Sequence, residues 1–163
     1  MPKKAIKYQE GQWFAVPLRD GGYALGIIVR GSYKTKGGLG YFFGPKYPEV
    51  PIGIETFAKN KENTLLIRQF GDLGIITGEW PLIQDGKPFT YEDWPVPLFH
   101  RVPPFSEGKA VIVEYRQDYS GDEHPIRETV TPLTDEILKL PKDVLSGSGA
   151  VEIVLTKLLK NTD

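Results

Sequence analysis

From Gln12 to Leu18 two apolar sets interleave, Trp13, Ala15 and Pro17 against Phe14, Val16 and Leu18, and this period of two predicts a strand. Arg19-Asp20-Gly21-Gly22 follows as a turn whose glycines tolerate the positive φ of a tight hairpin, and Tyr23 to Arg30, rich in aromatic and β-branched residues, predicts the returning strand. Pro17 donates no ladder hydrogen bond, so it marks an edge position or a strand end. Gly31 to Gly38 is a polar, lysine-containing turn. Leu39 to Pro45 then supplies a third strand, cut short by glycines and a proline. The chain opens as a three-stranded meander.

Pro45, Pro48 and Pro51 impose an extended loop, and Ile52 to Asn60 suits a strand or a short helix equally. Thr64 to Phe70 and Leu73 to Thr77 are apolar and β-branched, interrupted by Gly71-Asp72 and Gly74, which predicts two short strands or one bulged strand. Trp80 to Ile83 is the next candidate. Trp94 to Phe99 is extended by its prolines, Ala110 to Tyr115 is a buried strand, residues 116–125 form a charged loop, and Ile126 to Thr131 is a strand that pairs back. Thr134-Asp135-Glu136 opens a helical turn that Pro141 closes. After Ser146-Gly147-Ser148-Gly149, residues Ala150 to Lys160 carry Val151, Val154, Leu155, Leu158 and Leu159 on one helical face, with Ser148 as the cap. A Gly/Ser entry of this kind can also hold a phosphate, but here it lacks the lysine and preceding strand of a P-loop.

These elements predict an α+β fold, mainly antiparallel, as a strongly bent sheet or small SH3-like barrel with the C-terminal helix over an opening. Its 163 residues suit a single domain, with a basic tail at 1–9 and a helical region at 134–160. A hydrophobic share of 40% and a charged share of 25% are those of a globular protein, and there is no cysteine, so disulfides and thiolate chemistry are excluded. No apolar run approaches the roughly 20 residues of a membrane span, and Met1 to Lys7 lacks the apolar stretch of a leader. The expected location is cytoplasmic.

The net charge of −1 is unevenly spread: residues 1–36 hold seven Lys/Arg against two acids, while 72–107 hold six acids against Lys87 and Arg101. That acidic part contains a doubled unit, Glu79-Trp80-Pro81 and Asp93-Trp94-Pro95. A Trp-Pro pair suits a strand end, where the indole packs on the sheet and the proline denies a hydrogen bond to a further neighbour. The acids belong at the surface, because burying an unpaired carboxylate costs several kcal/mol. Asp72, Glu79, Trp80, Asp85, Glu92, Asp93 and Trp94 are therefore the candidate partner interface.

Catalytic chemistry is sparse. The two histidines, His100 and His124, stand apart without thiolates, so neither a metal site nor a cofactor is expected. No nucleophile elbow places a serine beside His100. A small β-barrel enzyme or ligand-binding domain with a cleft near Glu79, Asp93 and His100 is the alternative. A nucleic-acid face built on Lys3, Lys4, Lys7, Lys34 and Lys36 is a third reading, but a pI near 6.2 and the placement of these lysines in a tail and a turn suit a solubility device better.

Trp13 to Gly26, Gly40-Tyr41-Phe42-Phe43-Gly44-Pro45, Phe70-Gly71-Asp72-Leu73-Gly74, Gly78-Glu79-Trp80-Pro81, Trp94-Pro95 and Val113-Glu114-Tyr115 together resemble the immunity protein 26 family of bacterial polymorphic-toxin systems, over roughly residues 10–116. The resemblance implies a small, mainly β cytoplasmic protein that binds and neutralises a cognate toxin domain, and it implies no enzyme activity; from charge and the lack of an apolar span, neither nucleic acid nor a membrane is an expected partner. It carries over no residue-level binding motif. The tail after residue 132 lies outside it.

Overall fold

The computed structural model describes residues 4–52, 61–83, 89–120 and 123–160. The meander is present as β1 (Trp13–Pro17), β2 (Tyr23–Ser32) and β3 (Gly37–Tyr47), and β4 (Thr64–Gly71) continues it. β5 (Leu82–Ile83) and β9 (Leu145–Ser146) complete a six-stranded sheet in the order β5-β1-β2-β3-β4-β9. Its pairings are antiparallel except β4 with β9. A second sheet holds β6 (Phe99–Arg101), β7 (Lys109–Glu114) and β8 (Arg127–Pro132), all antiparallel. The large sheet ends at β5 and β9, so the strands form no closed barrel.

The alternation in β1 decides the layers. Trp13 and Ala15 face a core shared with Phe43, Trp94, Phe99 and Val113, which the second sheet covers. Phe14 and Val16 face the other core, with Phe42, Phe70, Trp80 and the C-terminal helix α3 (Ser148–Leu159). The central sheet is thus buried on both faces. In the hairpin, Gly21 and Gly22 take φ of 100° and 78°, as the turn requires.

Several local expectations are corrected. Leu73–Thr77 is a helix, α1, because Gly78 at φ 84° returns its N–H to the Ile75 carbonyl and the turn buries Gly74 and Ile75 beneath Trp80. A Cβ on Gly74 would stand 2.7 Å from the Trp80 indole, so close packing selects glycine there. Leu73 to Thr77 is too short for periodicity to separate strand from helix. β3 runs through Gly44 and Pro45, absorbing them in a register shift against β2 between Tyr23 and Leu25. The strand expected over Trp80–Ile83 is confined to Leu82–Ile83. Ile52 to Asn60 falls almost wholly outside the described residues.

At the C-terminal end, α2 (Asp135–Leu138) is capped by Thr134, whose hydroxyl accepts from the Ile137 N–H. α3 lies flat on the sheet rather than over an opening. Val151, Leu155 and Leu159 are its buried stripe, whereas Leu158 is 44% exposed, since a stripe of this width covers only part of the predicted face. Ser148 does not cap α3. Its hydroxyl accepts from the Gly74 N–H at 2.8 Å, joining α3 to α1, and Gly147 occupies the cap position.

Candidate partner interface

The doubled unit divides between the two cores. Trp80 stacks on Phe14, ring centroids 5.5 Å apart and planes 10° off parallel, and its Nε1–H donates to the Glu152 carboxylate at 2.8 Å. Trp94 meets Trp13 edge-on at 5.9 Å and Tyr41 at 5.2 Å. Because Trp13 and Phe14 are consecutive in β1, each indole covers one face of the same strand. Both tryptophans are core residues, but neither ends a strand: Trp80 lies between α1 and edge strand β5, with the Pro81 carbonyl accepting from the Ala15 N–H at 2.9 Å, and Trp94 follows the 3-10 turn Tyr91–Asp93, with the Pro95 carbonyl accepting from the Tyr41 hydroxyl.

The acids separate likewise. Asp72 is buried and accepts a 2.8 Å hydrogen bond from the Tyr8 hydroxyl; burial first, then this bond and the charge of Asp72, hold the Tyr8 phenol well above its usual range. Glu79 is exposed just after α1. Glu92 and Asp93 are exposed in a single 3-10 turn, Tyr91–Asp93, where Asp93 accepts from the Thr90 hydroxyl at 2.8 Å. Asp85 lies outside the described residues. Of the seven candidates, Glu79, Glu92 and Asp93 are the described side chains open to solvent.

The Tyr91–Asp93 turn is clamped from beneath by residues that sequence reasoning missed. Arg30 of β2 is fully buried; its guanidinium carbon lies 3.8 Å from the centroid of the Tyr91 ring, Nε donates to the Gln117 carbonyl at 2.8 Å, and Nη1 donates to the Val29 carbonyl at 2.6 Å. Glu10 bridges the assembly, accepting from the Tyr91 hydroxyl at 2.6 Å and from the Gly31 N–H at 2.8 Å. The hydrogen bond to Glu10, together with burial, raises the Tyr91 phenol to about 12. Gln117 exchanges two 2.9 Å bonds with the Val96 backbone and so fixes the segment after Trp94. The only hint in the chain was a cation ending an apolar strand, which reads as the strand's solvent end. Tyr91, 40% exposed, with Glu92 and Asp93 beside it, presents one aromatic face and two carboxylates on a held backbone.

His100 is elsewhere. It is buried in β6, and its Nδ1 donates to the Leu140 carbonyl at 2.8 Å. Neither Glu79 nor Asp93 lines the two grooves that His100 lines, so the cleft expected from these three residues is not assembled. The Ser146-Gly147-Ser148 entry to α3 is likewise engaged, with Ser146 Oγ accepting from Arg68 at 2.9 Å. No helix among the described residues is long and apolar enough to cross a membrane.

No curated protein and no solved structure matches the chain. The family model of immunity protein 26 matches residues 9–110, which span the meander, both tryptophan units and the clamped turn. On that match, covering more than half of its length, the chain belongs to the immunity protein 26 family.

Proposed function

We propose that this protein is a cytoplasmic immunity protein that binds the toxin domain of its cognate polymorphic-toxin system and blocks it by occupancy, without catalysis. The observation that carries the reading is the Tyr91–Asp93 turn, because family membership supplies the class of partner and this turn supplies a surface suited to it. An exposed aromatic flanked by carboxylates, pre-ordered by Arg30 and Glu10, loses little conformational freedom on binding. Glu79 and Asp85 extend the acidic stretch. The toxin class that this charge suits is a basic nuclease, whose cleft would be approached faster through electrostatic steering.

The test is co-expression with the toxin domain encoded by the neighbouring reading frame. Formation of a complex stable to size-exclusion chromatography, together with survival of cells expressing the toxin, is the expected result. Toxicity undiminished by this protein, with the two chains eluting separately, would overturn the reading.

A further inference from the structure

β4 is covered unevenly along its outer side. β9 pairs with it in parallel at Gln69 and Phe70, but the chain leading into β9 stands off, so that Leu138 to Lys142 and Thr64 to Arg68 face one another across a groove of about 410 Å³. This is within the usual range of ligand sites, roughly 300–1,000 Å³. The far wall is held by β6, where the His100 N–H donates to the Pro141 carbonyl at 2.8 Å and the Asp143 N–H donates to the His100 carbonyl at 2.9 Å.

The groove has a one-sided charge. Arg68, His100, Lys139 and Lys142 line it, and no aspartate or glutamate does. Lys139 reaches Glu136 at 3.4 Å on the exposed side of α2. Arg68 is the unusual member, because it is only 9% exposed and yet has no ion pair among the described residues. Nη1 donates to Ser146 Oγ at 2.9 Å, while Nε is buried with no hydrogen-bond partner. Arg101, by contrast, has Glu128 at 2.9 Å and Asp143 at 3.1 Å; Arg30, whose Nη2 is likewise buried without a hydrogen-bond partner, has the Tyr91 ring over its face and two backbone carbonyls as acceptors. The nearby Asp143 carboxylate is engaged elsewhere, taking Gln69 at 2.9 Å, Tyr115 at 2.6 Å and Arg101. A guanidinium removed from water without a counter-charge is unfavourable, and an arriving anion relieves it.

We propose that this groove is an oxyanion-binding site, in which Arg68 grips a carboxylate or phosphate group, Lys139 and Lys142 add positive potential, and Leu138 and Leu140 flank the carbon skeleton that carries the group. None of the exposed acids of the acidic stretch lines it. Nδ1 of His100 is committed to the Leu140 carbonyl.

The test uses the full chain labelled at arginine nitrogens, with the Nε–Hε signal of Arg68 identified by its loss in Arg68→Met. Sodium acetate and sodium phosphate are titrated in turn against sodium chloride at equal ionic strength. The expected result is a saturable shift with acetate, with phosphate or with both, at a Kd at least tenfold below that for chloride; the tighter of the two names the source as carboxylate or phosphate. The backbone amides of Leu66 and Lys142 should saturate in step, and should cease to do so in Arg68→Met. A linear shift equal in all three salts, or unchanged amide saturation in Arg68→Met, would overturn the site. If that variant does not fold, the double variant Lys139→Gln/Lys142→Gln, altering two exposed side chains, must weaken the tighter oxyanion several-fold. Unaltered affinity there overturns it too.

Discussion

Trp80 donates its indole N–H to Glu152 at 2.8 Å, and the same carboxylate takes Arg19 Nε at 3.1 Å, so a helix beyond residue 110 is tied both to an indole and to the β1–β2 hairpin of the family-matched segment. Removing the acceptor strands a buried donor. Glu152→Ala should therefore destabilise the fold by about 1–3 kcal/mol, whereas Glu152→Gln, which keeps an acceptor oxygen, should lose less. Urea denaturation measures both, and a midpoint for Glu152→Ala equal to that of the unsubstituted protein would show that the bond contributes nothing.

The hairpin glycines should differ in their sensitivity. Both have positive φ, but a Cβ on Gly22 would meet the Tyr47 carbonyl oxygen at 2.8 Å, while one on Gly21 would meet nothing within 4 Å. Each valine substitution should cost on the order of 1–3 kcal/mol through backbone strain, with Gly22→Val the worse of the two. An unchanged denaturation midpoint for both variants would contradict this.

Alkaline stability should follow Tyr41. Burial pushes its phenol from 10.0 up to about 12, although the Arg30 charge pulls the other way. The folded state then holds its proton more tightly than the unfolded chain, so the stabilisation is complete below pH 10 and is lost as pH rises from about 10 to about 12. That displacement corresponds to a few kcal/mol, at about 1.4 kcal/mol per pKa unit. Tyr41→Phe should flatten this part of the stability profile, leaving a residual slope from Tyr8 and Tyr115, whose phenols are also raised by burial. Chemical denaturation across that pH range is the measurement, and parallel profiles for the two proteins would refute the assignment.

Charge reversal tests the acidic surface. Glu79, Asp85, Glu92 and Asp93 changed together to lysine should leave the circular dichroism spectrum unaltered, since exposed charges usually shift stability by no more than about 0.5 kcal/mol each. Protection against the toxin should be lost, chiefly through slower association and most severely at low salt. Neutralising Lys3, Lys4 and Lys7 should have little effect. Full protection by the four-lysine variant would place the contact on another face.

Many of the strands, and the opening meander, were legible in the chain because the relevant forces are local. Interleaved apolar sets in Trp13–Pro17, turn glycines at Gly21 and Gly22, and the apolar run at Ala110 act within a few residues, and each predicted its strand. The helix over Leu73–Thr77 was not legible. Its β-branched residues prefer a strand, and the burial of Gly74 and Ile75 under an indole several residues away outweighs that preference. The repeated acid-Trp-Pro unit likewise announced two tryptophans without saying that they belong to opposite faces of β1, since a face is defined only once a sheet and its covering layers exist. Charge could be counted in the sequence, but its meaning depended on burial. Asp72 and Glu79 are both acids of one short stretch, yet Asp72 is a buried partner of Tyr8 while Glu79 meets solvent, and Arg30 and Arg68 became the two buried guanidiniums only when strands distant in the chain closed around them. Composition and period thus determined which segments form most of the strands, whereas tertiary packing decided the long-range pairings and which polar groups lost water, because desolvation is set by neighbours that no local pattern names.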